Sequence, residues 1–345
     1  MNGHWALRYL LDRGVLSSAD AVLTSATAEE TSISHSSFYV RVDGRPQWFV
    51  KRADPVRSQG RDLGAEAAVY RLAAFHPALA QVIPRCRLID EGDNIVVLDA
   101  INGKPLTGGF QWSDGRARAG SIKILRAYGD AVAHVHSVRP AALGKPPWLL
   151  VALEPRWGDY SWLPRGCASL LARLAASVTF QAAFRQARFE WQPIGLVHGD
   201  LRWANALLDE QSDSAKIWLV DWGLACLGDP AWDIASMLAD VVATAALAQG
   251  NAPPADDPMA LSISMLEGYR AAARLALASW VPLLQRSVRL AGVRMVQTMI
   301  EQGHVSDEEL SRAEAALIPW SVRFLTHAPA IGFWLANAVG DTSAS

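Results

Sequence analysis

Cysteine is scarce in this sequence, with three in 345 residues: Cys86, Cys167 and Cys226. The three are far apart in the chain, odd in number and without Cys-x-x-Cys spacing. This pattern predicts neither a disulfide framework nor a zinc site. We therefore expect a protein of a reducing compartment and interpret the chain as cytoplasmic.

Neither sign of charge is in excess. The chain has 32 Lys and Arg against 34 Asp and Glu, a net charge of -2 at pH 7, and 19% of its residues are charged. A protein that binds nucleic acid usually carries a basic surface. We therefore expect no nucleic-acid partner.

Long apolar runs are also missing. The longest uncharged stretch lies within 324–340, where His327, Pro329 and Asn337 interrupt it. It falls short of the roughly 20 apolar residues that span a bilayer, so we expect a buried helix there and no membrane span. The stretch "MNGHWALRYLLDRGVL" mixes charges with apolar residues and indicates no secretion signal.

The first hundred residues have the pattern of a sheet. Two alternating runs within 36–51 are joined by Asp43 and Gly44, a strong signal for a two-residue hairpin. Residues 86–106 contain a second hairpin pattern, and between the two hairpins the stretch 62–76 has helical spacing and ends before a proline. We expect a mostly β region with one helix.

The rest of the chain has mainly helical periodicity. Helices are predicted near 116–137, 166–188, 231–248, 259–278, 281–302 and 306–325, and a cluster of short strands and loops near 194–221. The predicted fold class is α+β: a two-lobed structure with a small N-terminal antiparallel sheet lobe, residues 1–103, and a larger, mostly helical C-terminal lobe, residues 104–345. A cleft is expected where the lobes meet.

Polar side chains are concentrated in one loop between two buried strands, in "LVHGDLRWANALLD". It contains Asp200 and Asn205, and the next strand-like run ends directly on Asp221. Mg²⁺ prefers oxygen ligands and is held by few protein groups, with water and substrate phosphates filling its shell. Asn205 and Asp221 are candidate ligands, and Asp200 is then left to accept a proton from an incoming hydroxyl. The loop has the composition of a phosphoryl-transfer site.

These stretches resemble the aminoglycoside phosphotransferase and choline kinase branch of the protein-kinase-like superfamily. The similar residues are "HGDLRWAN", "LVDWGLACLGDPAWDIA", "VVLDAINGKPL", Lys51 on the second strand and Glu66 on the first long helix. The branch differs from protein kinases in having His-Gly-Asp for His-Arg-Asp and Asp-Trp for Asp-Phe-Gly, and both features are present. The resemblance implies the two-lobed kinase fold and phosphotransferase activity.

For the nucleotide, the resemblance implies ATP as the cofactor, with GTP as an alternative. Lys51 would contact the α- and β-phosphates and pair with Glu66, and backbone groups near Asp99 and Ile101 would bind the base. The stretch "LTSATAEETSISHSSFYV", which takes the place of the Gly-rich loop of protein kinases, has no glycine. Phosphate contacts within 25–36 are therefore left unassigned.

For the chemistry, the resemblance implies Asp200 as the catalytic base and Asn205 and Asp221 as Mg²⁺ ligands. Asp233 would brace the catalytic loop by hydrogen bonds, and His198 would orient that loop without binding a metal. Trp203 and Trp222 are expected to pack behind these motifs. His134 and His136 point to different sides of a helix, which argues against a shared metal.

Arg202 has two interpretations: a plain loop cation, or a catalytic residue that neutralises charge on the transferred phosphoryl group. The charge of the acceptor is equally open, since the C-terminal region offers both signs. The acids are Asp240, Asp256, Asp257, Glu267 and Glu301, and the arginines are Arg270, Arg274, Arg289 and Arg294.

The expected function is phosphoryl transfer from ATP to the hydroxyl of a small molecule such as an antibiotic, an amino alcohol or a sugar. One alternative is a kinase that phosphorylates Ser or Thr of a peptide in natural-product biosynthesis. Another is a nucleotide-binding pseudokinase that scaffolds a partner, but the intact Lys51, Asp200, Asn205 and Asp221 argue against it. The sequence leaves the oligomeric state open.

Overall fold

The computed structural model describes residues 3–31, 36–53, 63–108, 117–152, 162–209, 215–247 and 258–341. All elements below lie in these ranges. The described part has the predicted α+β, two-lobed kinase-like fold, with an antiparallel sheet in the N-terminal region and a mostly helical remainder.

The N-terminal sheet has five antiparallel strands in the order β1-β2-β3-β5-β4. Their bounds are β1 Ala26–Glu30, β2 Ser36–Val42, β3 Arg45–Arg52, β4 Cys86–Asp90 and β5 Ile95–Asp99. Both predicted hairpins are confirmed. In the first hairpin, Asp43 and Gly44 both have left-handed φ values of 51° and 75°, as a two-residue turn between twisted strands requires.

Four helices accompany this sheet: α1 Gly3–Asp12, α2 Ser18–Leu23, α3 Gly64–Ala73 and α4 Pro77–Ala80. The expectation of a single helix was therefore wrong, and strand β1 was also missed. Ala6, Tyr9 and Leu10 form one apolar face of α1 and pack against the sheet beside Phe38 and Val40. Trp5, Leu7 and Leu11 pack there as well, partly buried, so this apolar spacing is present in the sequence and was missed.

The C-terminal lobe consists of helices and short strands. The helices are α5 Ala117–His136, α6 Leu149–Ala152, α7 Arg165–Ala176, α8 Val178–Phe189, α9 Ala231–Leu247, α10 Pro258–Ala273, α11 Leu277–Gly303 and α12 Asp307–Asp341. The strands are β6 Gly103–Pro105, β7 Gly195–Val197, β8 Ala206–Asp209, β9 Ile217–Leu219 and β10 Cys226–Gly228, which form the sheets β6-β8-β9 and β7-β10. Strand β10 was not predicted.

The single helix predicted at 166–188 is two helices, α7 and α8, bent by 89°. Ser177 separates them with an extended backbone, and its hydroxyl accepts a hydrogen bond from the amide of Phe180. A serine in this geometry is an N-cap, which starts a new helix. Among the described residues no single helix is long and apolar enough to cross a membrane, and only this bent pair reaches the required length and composition.

Helix α12 extends through the uncharged stretch 324–340, where a buried helix was expected. It kinks at His327 (φ -114°, ψ 18°) just before Pro329. Proline cannot donate to the carbonyl four residues earlier, and that carbonyl, of Leu325, accepts a hydrogen bond from Arg289 Nη1 at 2.8 Å. Only one face of the segment is buried, since Phe333 and Trp334 are exposed. The expectation of a buried helix was wrong on this point.

Helices α5 and α10 cross at two glycines. A Cβ on Gly129 would lie 1.9 Å from the carbonyl oxygen of Met265, and one on Gly268 would lie 2.0 Å from that of Arg126. Only glycine permits such a close backbone approach. The crossing brings two side chains of the facing helices, His136 and Tyr269, into contact behind the candidate site.

Candidate active site

A cavity of about 340 Å³ lies between the N-terminal sheet and the β8–β9 region. It is lined by six of the eight residues predicted to bind nucleotide or metal or to act in catalysis: Lys51, Glu66, Asp99, Ile101, Asn205 and Asp221. The other two, Asp200 and Arg202, belong to the loop that precedes Asn205. The structure thus brings the predicted residues to one cleft.

Lys51 lies between two carboxylates. Its Nζ is 2.7 Å from Glu66 Oε2 on α3 and 2.6 Å from Asp221 Oδ1, which follows β9. The side chains of Lys51 and Glu66 are 7% and 1% exposed, whereas that of Asp221 is 50% exposed. Burial alone would lower the pKa of Lys51, but the two carboxylates outweigh it and raise this pKa, so the lysine stays a cation.

Asp221 has a strained backbone, with φ at 68°. A non-glycine residue in this region costs of order 1–3 kcal/mol, and such residues cluster at functional sites. The turn lets Asp221 line the cavity while the next residue, Trp222, is fully buried. Trp203 is also buried, so both tryptophans pack behind the motifs as predicted.

Asp233, near the start of α9, braces the loop that carries Asp200. Its carboxylate accepts hydrogen bonds from the amides of His198 (2.7 Å) and Gly199 (3.1 Å), as the resemblance implied. Gly199 has φ at 82°, and its carbonyl accepts a hydrogen bond from Trp232 Nε1. Burial would raise the pKa of Asp233, but its hydrogen bonds and neighbouring histidines lower it, so the brace stays ionised.

His136 is part of this brace, which the sequence did not reveal. Its Nε2 lies 3.1 Å from Asp233 Oδ2, and its Nδ1 lies 2.9 Å from the hydroxyl of Tyr269 on α10. His136 and Asp233 are 97 residues apart, and no local pattern connects them.

His198 connects the loop that carries Asp200 to the strand that leads to Asp221. Its Nε2 lies 2.9 Å from the carbonyl oxygen of Val220, and its ring packs against Trp222 at 4.4 Å between centroids. The side chain is completely buried. This position fits the predicted role of orienting the loop.

Asp200 contacts two arginines. Its Oδ2 is 2.9 Å from Arg202 Nη2, and its Oδ1 is 3.4 Å from Arg294 Nη2 on α11. Burial raises the pKa of Asp200, and the two guanidinium groups oppose that rise. The backbone carbonyl of Asp200 accepts a hydrogen bond from Asn205 Nδ2 at 2.9 Å, which fixes the amide side chain beside the cavity.

The structure shows which of the acids and arginines named for the acceptor region lie near Asp200. Asp240 and Glu301 lie on the Asp200 side: Asp240 accepts a hydrogen bond from the Trp203 amide, and Glu301 contacts Arg202 and Arg294. The others lie elsewhere: Glu267 with Arg126, Arg289 with Glu190, and Arg270 and Arg274 along a different cavity of about 750 Å³. Asp256 and Asp257 lie outside the described residues.

Asn205 and Asp221 suit a cation that takes most of its ligands from substrate and water. Within the described ranges no group of three or more His, Cys, Asp or Glu side chains could hold a metal alone. The cluster of Lys51, Glu66 and Asp221 has two acids for one cation, and Asp221 is half exposed. The side-chain oxygens of Asn205 and Asp221 fit Mg²⁺, which is typically held by one or two protein groups together with phosphates.

The fold and the cleft define a kinase-like phosphotransferase. Residues 30–261 match the phosphotransferase enzyme family (APH), which is more than half of the 345 residues. The chain belongs to this family, and the predicted resemblance is confirmed. No curated protein sequence matches the chain.

Solved structures share the fold at low sequence identity. Plasmodium vivax ethanolamine kinase is 10% identical with a TM-score of 0.60, covering 94% of this chain and 89% of that chain. A choline/ethanolamine kinase family protein from Mesorhizobium loti is 15% identical with a TM-score of 0.52, covering 86% and 92%. The GDP and kanamycin complex of APH(2″)-IIIa is 14% identical with a TM-score of 0.54, covering 93% and 99%.

Proposed function

We propose that this protein transfers the γ-phosphoryl group of ATP, in the presence of Mg²⁺, to the hydroxyl of a small molecule such as an antibiotic, an amino alcohol or a sugar. One observation carries the proposal. The cavity that contains Lys51, between Glu66 and Asp221, is adjacent to a loop with Asp200 five residues before Asn205. A phosphate-binding cation, two metal ligands and a base are the parts that phosphoryl transfer needs.

The nucleotide would occupy the 340 Å³ cavity. Its base would contact backbone groups near Asp99 and Ile101, both of which line the cavity. The Ala100 amide is already used by the carbonyl of Gln47, whereas the Ile101 amide donates to no residue that the structure describes. Recognition through the backbone tolerates either purine, so GTP remains an alternative donor.

The proposed hinge between the two lobes lies at the boundary between residues 1–103 and 104–345. Strand β5 ends at Asp99 in the N-terminal sheet, and β6 pairs with β8 in the C-terminal region. The short connection between them contains Ala100 and Ile101. A base bound there would contact the chain where it passes from one lobe to the other.

Asn205 and Asp221 would hold Mg²⁺, which supplies neutralisation of the phosphate charge when bound. Lys51 would contact the α- and β-phosphates while Glu66 keeps its ammonium in place. Because Glu66 is buried and Asp221 is half exposed, Glu66 is the fixed partner of the lysine and Asp221 the one open to the nucleotide.

Asp200 would orient the acceptor hydroxyl and take its proton on a carboxylate oxygen. The hydroxyl oxygen forms the new bond to the γ-phosphorus, and the bond to the leaving nucleotide breaks with its electron pair on ADP. Arg202 would offset charge on the transferred group. The raised pKa of Asp200 makes its carboxylate a better proton acceptor than an exposed aspartate.

An acceptor panel tests this function. ADP release is measured with MgATP or MgGTP and amino alcohols, aminoglycosides, sugars and Ser-containing peptides, with and without EDTA. We expect metal-dependent turnover with a small-molecule alcohol. Turnover with peptides alone would support a peptide kinase instead, and full activity in excess chelator would contradict the metal assignment.

Nucleotide binding can be tested without an acceptor. A ligand at ~100 times its dissociation constant adds about 2.7 kcal/mol to stability, so MgATP should raise the melting temperature. An unchanged melting temperature at millimolar MgATP would contradict the assignment of the cavity as the nucleotide site. It would also exclude the scaffold that binds nucleotide without turnover.

A further inference from the structure

Four charged side chains form a closed ring on the acceptor side of the cleft. Asp200 contacts Arg202 at 2.9 Å and Arg294 at 3.4 Å. Glu301 contacts the same two arginines, with Oε1 at 2.9 Å from Arg294 Nη1 and Oε2 at 3.7 Å from Arg202 Nη1. The charges alternate, so each carboxylate lies between two cations. We name these residues the charge ring.

The two arginines of the charge ring differ in freedom. The side chain of Arg202 is 38% exposed and belongs to a loop, whereas that of Arg294 is 1% exposed and projects from the long helix α11. On α11 the neighbours Val293 and Met295 are fully buried. The buried side chain of Arg294 is therefore confined to a single position. From that position its guanidinium anchors Oδ1 of Asp200.

Stability alone gives a weak reason for a buried arginine at this position. A buried ion pair roughly breaks even against apolar side chains of similar volume, and α11 already buries Leu290, Val293 and Val296 around it. What arginine adds is direction. Its planar guanidinium presents two N–H groups at a fixed angle, one to Asp200 and one to Glu301, so the orientation of the Asp200 carboxylate is set by a helix and not by its own loop.

We propose that Arg294 is a positioning residue for phosphoryl transfer. It holds Oδ1 of Asp200 so that the other oxygen is presented to the acceptor hydroxyl, and Glu301 holds Arg294 from the opposite side. Arg294 touches neither nucleotide nor acceptor in this arrangement. The inference rests on the proposed function, in which Asp200 takes the acceptor proton.

The test compares two arginines of α11. Arg294→Gln and Arg294→Lys are measured beside Arg289→Gln, which breaks the partly buried pair of Arg289 and Glu190 (2.9 Å) away from the site. ADP release from MgATP gives kcat, with water or the best acceptor of the panel, and calorimetric titration gives the dissociation constant of MgATP. The melting temperature of each variant reports its stability.

For Arg294→Gln we expect kcat to fall by about 10- to 100-fold, the scale of effect that a misplaced catalytic group produces, with MgATP affinity unchanged within about twofold. Arg294→Lys should recover part of the rate, because it keeps the charge without the planar fork. Arg289→Gln should lower the melting temperature and keep kcat. Should Arg294→Gln fail to fold, Glu301→Gln removes the second anchor of Arg294 from a position that is 32% exposed and should lower kcat in the same selective way.

Wild-type kcat in these variants, or a fall in kcat that only follows stability as in Arg289→Gln, would overturn the inference. Asp200→Asn is measured in the same series. If Asp200→Asn keeps the wild-type rate, the proposed function itself fails. If Asp200→Asn is inactive while the Arg294 and Glu301 variants are unaffected, the inference alone fails.

Discussion

The two sides of the cleft are built from the same kinds of side chain in different proportions. On the side proposed for the nucleotide, one cation, Lys51, lies between Glu66 and Asp221. On the side proposed for the acceptor, two arginines alternate with Asp200 and Glu301 in the charge ring. The first cluster has a surplus of negative charge and a half-exposed carboxylate, and the second balances its own charges.

The difference indicates what each side lacks. On the proposed nucleotide side, Asp221 is half exposed on a strained backbone, where a metal ion with its phosphates would bind. On the proposed acceptor side the charges of the ring balance, and Asp200, the proposed base, is held by two arginines without any ligand. We therefore expect mutations on the first side to affect nucleotide binding, and mutations on the second to affect chemistry.

The largest effect is expected for Asp221→Asn. Asparagine tolerates the left-handed backbone and keeps the shape of the side chain, but removes the charge that would hold the metal. Turnover should fall to background, with weaker binding of MgATP and an unchanged fold. The matched control is Asp43→Asn, which changes an exposed aspartate that also has positive φ and should keep full activity.

Lys51→Met should affect stability as well as turnover. It leaves Glu66 buried without its cation, and breaking a buried ion pair by removing one partner costs about 3–5 kcal/mol. Chemical unfolding of the variant and of Lys145→Met, an exposed lysine, measures the difference. A loss of activity with unchanged stability would show that Glu66 has another partner or is protonated.

A smaller effect concerns pH and Asp240. Burial raises the pKa of Asp240 from 3.8 to about 7, while Arg294 and the Trp203 amide work in the opposite sense. Between pH 3.8 and about pH 7 the folded state binds more protons at Asp240 than the unfolded state does. The stability that protonated Asp240 contributes is therefore present at low pH and is lost as the pH rises towards 7.

Asp240→Asn should remove this dependence. Relative to wild type, the variant should gain of order 1 kcal/mol between pH 5 and pH 8, measured by thermal unfolding at both values. The exposed Asp12→Asn serves as control and should show no such gain. A constant difference between Asp240→Asn and wild type across this range would contradict the raised pKa.

The sequence predicted the parts of the site that are local in the chain. Asp200, Asn205 and Asp221 stand at strand ends within short motifs, and the hairpin that carries Lys51 follows from alternation and the Asp43-Gly44 turn. These signals need no tertiary information. The roles of the residues came from the resemblance to a family and stay predictions.

What the sequence could not supply comes from distant segments. Arg294 reaches Asp200 across 94 residues and His136 reaches Asp233 across 97, and each is an ordinary side chain on an ordinary helix. The break at Ser177 was missed because a single cap residue interrupts an otherwise continuous apolar pattern. Tertiary packing decided the first two, whereas the third is a local cap within an apolar pattern.

The division of work between the two sides is tested most directly by Asp200→Asn, with kcat and MgATP affinity measured on the same preparation. General-base catalysis typically contributes 10²- to 10⁴-fold, so kcat should drop by about that factor while the dissociation constant of MgATP changes only slightly. Loss of MgATP affinity in step with activity would mean that Asp200 acts through the metal or the fold. Wild-type rates would mean that this loop is not the catalytic one.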